Sequence, residues 1–85
     1  SDGGGSVRIP AAICGLVGLK LSRGRQVGAP DPSPVSIGVD GCVSRTVRDT
    51  AAWLAATERS GEGALYPATG LVSGASTKRL KIGLM

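Results

Sequence analysis

Hydrophobic and polar positions divide the chain into a few short elements separated by breakers. From Val7 to Cys14 the chain is apolar apart from Arg8. Pro10 suits the first turn of a helix, where its missing N–H has no intrahelical partner to lose. Gly15 then marks the C-terminal stop of that helix. Leu16-Val17-Gly18-Leu19 is short and continuously apolar, the pattern of a strand buried on both faces. From Leu21 to Asp40 no period persists, because Gly24, Gly28, Pro30, Pro32 and Pro34 interrupt any regular element. Gly41 to Ser44 reads as a short extended segment.

Thr46 and Asp49 follow three residues apart, a capping box with Asp in place of the usual Glu. Val47, Ala51, Leu54 and Ala55 fall on one helical face. A helix is predicted from Val47 to Glu58 or Arg59, ended by Ser60-Gly61. Arg45, four residues before Asp49, is spaced to pair weakly with it. Trp53 on such a helix reads as partial core rather than as a ligand-stacking residue. Glu62 to Thr77 carries no sustained period and reads as a long surface connection open to motion. Leu80 to Leu84, apolar apart from Lys81, is predicted to be a further sheet strand. No internal repeat is evident.

Composition narrows this picture. At 85 residues there is room for one small domain with a marginal core. The chain opens on Ser1 rather than Met and closes on an apolar run, so residues 1–85 are expected to be an internal piece of a longer single domain. Ten Lys and Arg stand against six acids, a net charge of +4. Arg8, Lys20, Arg23 and Arg25 form one basic group, and Lys78, Arg79 and Lys81 another. Such a balance raises a polyanion partner as a possibility. Nucleic-acid surfaces usually add stacking aromatics, however, and Trp53 and Tyr66 are the whole supply here. Solvated surface charge is the better explanation. Cys14 and Cys42 lie outside any C-x-x-C pair and there is no His, which argues against a zinc site. Both thiols are expected to be buried and free, with a disulfide between Cys14 and Cys42 left open as the alternative. No apolar run reaches membrane-spanning length.

The candidate chemistry lies in Ser1-Asp2-Gly3-Gly4-Gly5-Ser6-Val7-Arg8-Ile9-Pro10. Consecutive glycines leave the backbone free and its N–H groups accessible. If the following run opens a helix, unpaired N–H groups and the positive end of its dipole would face the Ser6 hydroxyl. That suits a nucleophile beside an oxyanion hole of fixed main-chain donors. On composition alone a flexible Gly/Ser linker accounts for the same residues equally well.

The surrounding residues add a resemblance. Ser1 to Ala12, then Gly15-Leu16-Val17-Gly18-Leu19-Lys20, then Ser22-Arg23-Gly24-Arg25, resemble the motif of the amidase signature hydrolases. Arg45-Thr46-Val47-Arg48-Asp49-Thr50-Ala51 with Leu54 resembles the family's following helix, and Leu80-Lys81-Ile82-Gly83-Leu84 the strand after it. The resemblance covers essentially the whole chain, in order. It implies an α/β fold, a mixed sheet core flanked by helices, of which this chain would be one part. Leu21, where the family usually has Pro, and Gln26-Val27 depart from the pattern and concern loop geometry.

The resemblance also implies a mechanism without His: a Ser, a second Ser in a cis peptide linkage, and a Lys. Ser6 matches the nucleophile. The bridging serine and the lysine would lie upstream, outside these residues, and Lys20, Lys78 and Lys81 do not occupy the catalytic lysine's position. Backbone N–H groups of Gly3, Gly4, Gly5 and Ser6 would hold the oxyanion, with Gly3 standing where many members have a side chain. Asp2 and Arg8 are expected to brace the loop. The implied substrate is a small-molecule amide, with no cofactor, no metal, no nucleic acid and no membrane partner, in a cytoplasmic protein. Self-association or a homo-oligomer is expected of the isolated chain, which would be inactive. The glycine spelling, with Val43 to Asp49, is somewhat like the amidases related to 6-aminohexanoate cyclic dimer hydrolase. Two readings from other classes remain open: a non-catalytic interaction or scaffold fragment whose glycines only make a turn, and a basic nucleic-acid-binding piece.

Overall fold

The computed structural model describes residues 1–28 and 35–85. Its elements run helix α1 (Arg8–Ile13), strand β1 (Val17–Gly18), strand β2 (Val43–Ser44) and helix α2 (Val47–Thr57), an α/β arrangement. The expected proline-broken loop falls partly on residues 29–34, outside the described residues.

Helix α1 begins one residue inside the predicted run. Pro10 is its third residue, so the N–H it lacks belongs to the first turn. At Gly15 φ is +65°, the left-handed turn that closes the helix. The chain then reverses into β1, which pairs antiparallel with β2 in the register Val17 to Ser44 and Gly18 to Val43. A Cβ on Gly18 would stand 2.6 Å from Ala11 Cβ and 2.9 Å from the Val7 carbonyl. Only a glycine there lets α1 lie directly on the strand.

Burial on both faces of the Leu16–Leu19 segment is not observed. The strand is two residues long and half-buried, and Leu19 is exposed, because among the described residues β2 is its one partner and α1 covers one side. Leu80 to Leu84 likewise forms no strand and lies exposed. A strand needs a neighbour to take its N–H and C=O groups, and none of the described residues supplies one.

Helix α2 follows its sequence signals closely. The Thr46 hydroxyl accepts from the Asp49 N–H at 3.0 Å, with Thr46 in extended conformation as an N-cap requires. Leu54 is buried, and with Leu21 and Val39 it makes the small core against which Trp53 packs. Thr50, also buried, shares a 2.7 Å hydrogen bond with Ser44 and so ties α2 to β2. Arg45 and Asp49 form no ion pair. Both cysteines are free, but Cys14 is exposed at the end of α1 and Cys42 only half-buried, since the short helix leaves its last turn uncovered.

Beyond α2 the chain is anchored rather than loose. Glu58 accepts from the Thr69 N–H at 2.8 Å and the Gly70 N–H at 2.7 Å. Its carboxylate also lies 3.9 Å from the Arg25 guanidinium, which stacks 4.7 Å from the Tyr66 ring centre. These contacts hold residues 58–70 against the Arg25 loop. After Gly70 every residue is exposed.

Candidate active site

The loop from Asp2 to Arg8 is built around one carboxylate. Asp2 is fully buried and pairs its backbone with Val39, giving and taking hydrogen bonds of 2.7 and 3.1 Å. Its Oδ1 accepts from the Gly5 N–H at 2.6 Å, and its Oδ2 from the N–H groups of Val7 and Arg8 at 3.3 and 3.4 Å. Arg8 completes the set with Nε 3.0 Å from Oδ2 and Nη2 3.1 Å from Oδ1, a two-point ion pair. The Arg8 side chain, outweighing the cost of burial and joined by the three N–H groups, holds the Asp2 carboxyl well below the usual carboxylate range.

This geometry changes the expected source of the oxyanion donors. The first N–H groups of α1 do not face Ser6, because Asp2 takes those of Val7 and Arg8 and the Gly5 carbonyl takes that of Ile9 at 2.7 Å. Gly5, named as a donor from the sequence, spends its N–H on Asp2. The N–H groups of Gly3, Gly4 and Ser6 have no acceptor among the described residues. Ser6 itself is exposed at the turn preceding α1.

The glycines of the loop are not equivalent. Gly5 has φ of +120°, a region closed to ordinary side chains, and a Cβ there would meet Ile9 Cδ1 at 2.6 Å. Gly3 has no positive φ, and a Cβ on it would sit at ordinary contact, 3.5 Å from Ile37.

The whole chain, residues 1–85, matches the family model described as Amidase. The chain belongs to the amidase family. Among curated relatives, it is 47% identical over 87 residues to "Putative amidase AmiC" of Mycobacterium tuberculosis, covering 100% of this chain and 18% of that protein. The Mycobacterium leprae protein of the same name is 46% identical over 90 residues, covering 100% of this chain and 19% of its own length. A "Putative amidase" of Synechocystis is 58% identical over 55 residues, 64% of this chain and 11% of that protein. The chain thus spans about a fifth of the length of the AmiC proteins it matches. No solved structure matches it significantly.

Two concavities are formed by the described residues, and neither is lined by Ser6. One, of about 570 Å³, includes Ser1, Gln26, Asp40 and Arg59. The other, of about 430 Å³, is lined by Lys20, Ser22, Arg23, Ile37 and Tyr66. Among the described residues no group of three or more His, Cys, Asp or Glu side chains is placed to hold a metal, and no helix is long and apolar enough to cross a membrane. Sequence reasoning missed the joining of Arg25, Glu58 and Tyr66. Its one available signal was Arg25 within the Gly24-Arg25 motif, whose partner lies far along the chain.

Proposed function

We propose that the chain is an internal segment of a longer amidase domain and supplies its nucleophile, Ser6, for hydrolysis of a small-molecule carboxylic amide. Support comes from a single arrangement: an exposed serine on a glycine loop locked by the buried Asp2 carboxylate, in a chain that belongs to the amidase family throughout.

A serine hydroxyl attacks a carbonyl only when a base takes its proton. Among the described residues no side chain is hydrogen-bonded to Ser6 to serve as that base. In the proposed mechanism a lysine, neutral in its buried site, draws the proton through a cis-linked serine, both contributed from upstream. Ser6 Oγ bonds to the amide carbon, and the negative charge that develops on oxygen is held by the N–H groups of Gly3, Gly4 and Ser6. The proton passes to the leaving amine as the C–N bond breaks, and water then releases the acyl group from Ser6. Asp2 and Arg8 act by holding the loop, not by touching substrate. No cofactor or metal enters this chemistry. The setting is a cytoplasmic enzyme free of nucleic-acid or membrane partners, and the 85 residues alone are inactive and self-associate. Among amides, the 6-aminohexanoate cyclic dimer type is the subgroup to assay first, on the resemblance of the glycine loop.

The test is intact mass of the full-length protein after treatment with a fluorophosphonate, comparing wild type with Ser6→Ala. A single adduct on wild type, absent from the variant, is the expected result. A folded protein that takes no adduct would mean a loop kept as a scaffold without its chemistry.

A further inference from the structure

The basic residues Lys20 and Arg23 have no part in the proposed chemistry, yet they meet in the smaller concavity beside the nucleophile loop. Both are oriented by neutral acceptors. Lys20 Nζ donates to the Leu21 carbonyl at 3.4 Å, and Arg23 Nη1 to the Ser36 carbonyl at 2.9 Å. Among the described residues no carboxylate lines this cavity. Ser22 and Tyr66 bring hydroxyls that can donate to an oxyanion. Tyr66 is a fixed wall, since its ring is held by Arg25, which in turn sits beside Glu58.

Ile37 connects this cavity to the candidate active site. It lines the cavity, and its side chain lies 3.5 Å from where a Cβ on Gly3 would stand. Three peptide units separate Gly3 from Ser6, at most about 11 Å between their Cα atoms. Ser6 thus stands three residues from the glycine that Ile37 approaches.

We infer that the concavity formed by Lys20, Ser22, Arg23, Ile37 and Tyr66 is the subsite for a carboxylate carried by the substrate, a short aliphatic spacer away from the amide that Ser6 attacks. This rests on the amidase reading above. Arg23 offers the planar fork that matches a carboxylate, Lys20 a second positive charge, and Ile37 an apolar side for the spacer.

The experiment uses the full-length protein and two anilides that differ only at the far end, adipic acid monoanilide and hexanoic anilide. Wild type is expected to show the lower KM for the carboxylate-bearing anilide. Arg23→Gln and Lys20→Gln should each raise that KM about tenfold, the scale of one charge-assisted hydrogen bond, leaving kcat and hexanoic anilide turnover unchanged. Equal KM values in wild type, or equal losses on both anilides, would overturn the inference while leaving the amidase reading intact. Adipate binding by calorimetry separates the two readings. Binding that Arg23→Gln abolishes, in a protein that hydrolyses neither anilide, would keep the anion site and sink the amidase reading. Absence of adipate binding in the folded wild-type protein would sink the subsite.

Discussion

At Asp2 a single carboxylate accepts five hydrogen bonds, from the N–H groups of Gly5, Val7 and Arg8 and from two nitrogens of the Arg8 guanidinium. All are made by the ionised form, so folding holds the Asp2 carboxyl below its unfolded pKa near 3.9. A depressed pKa stabilises the fold fully above the unfolded value and progressively less as pH falls below it. Asp2→Asn in the full-length protein is therefore expected to lower the melting temperature at pH 7, and the gap to wild type should narrow below about pH 4. A constant gap from pH 7 to pH 3 would show that the charge of Asp2 is not what holds the loop. The sequence places Asp2 and Arg8 next to the serine but does not reveal this division of labour. Which N–H a buried carboxylate captures depends on the path of the turn, and the positive φ at Gly5 sets that path.

Elements were legible where their signals are local. Helix α2 carries its cap in Thr46 and Asp49 and its apolar face in Leu54, and it forms at Val47–Thr57. The Leu80–Leu84 strand was not decided locally, because pairing requires a neighbour elsewhere in the chain. The anchoring of residues 58–70 was also invisible, since it consists of main-chain N–H groups meeting one side chain, with no periodic trace. Glu58 is the fastening: its pKa is lowered first by the Thr69 N–H, then by that of Gly70, with Arg25 assisting against burial. Glu58→Ala leaves those N–H groups without their acceptor. Amide exchange at Thr69 and Gly70 should then quicken at least tenfold, while α2 keeps its protection. Unchanged exchange there would assign the anchoring to the Arg25–Tyr66 contact instead.

For the molecule as a whole, exposed surface is 6743 Å², against about 4,700 Å² for a compact monomer of this size. The radius of gyration, 14.2 Å, exceeds the roughly 12 Å of a compact domain of the same length. Ile13, Val47, Leu80 and Ile82 all stand open to solvent. In water that surface seeks cover. The 85 residues alone are accordingly expected to sediment as dimers or larger species and to bind a hydrophobic dye. A monodisperse, dye-silent monomer would contradict this. The Asp2–Val39 pairing bears on the order of events as the protein folds. Helix α2 can form from its own neighbours within a microsecond or so, whereas the loop around Ser6 must wait until residues 2 and 39 find each other, a closure whose entropic cost is met before any contact repays it. The loop around Ser6 is thus assembled late, and a chain still emerging from synthesis carries Ser6 long before that loop takes its shape.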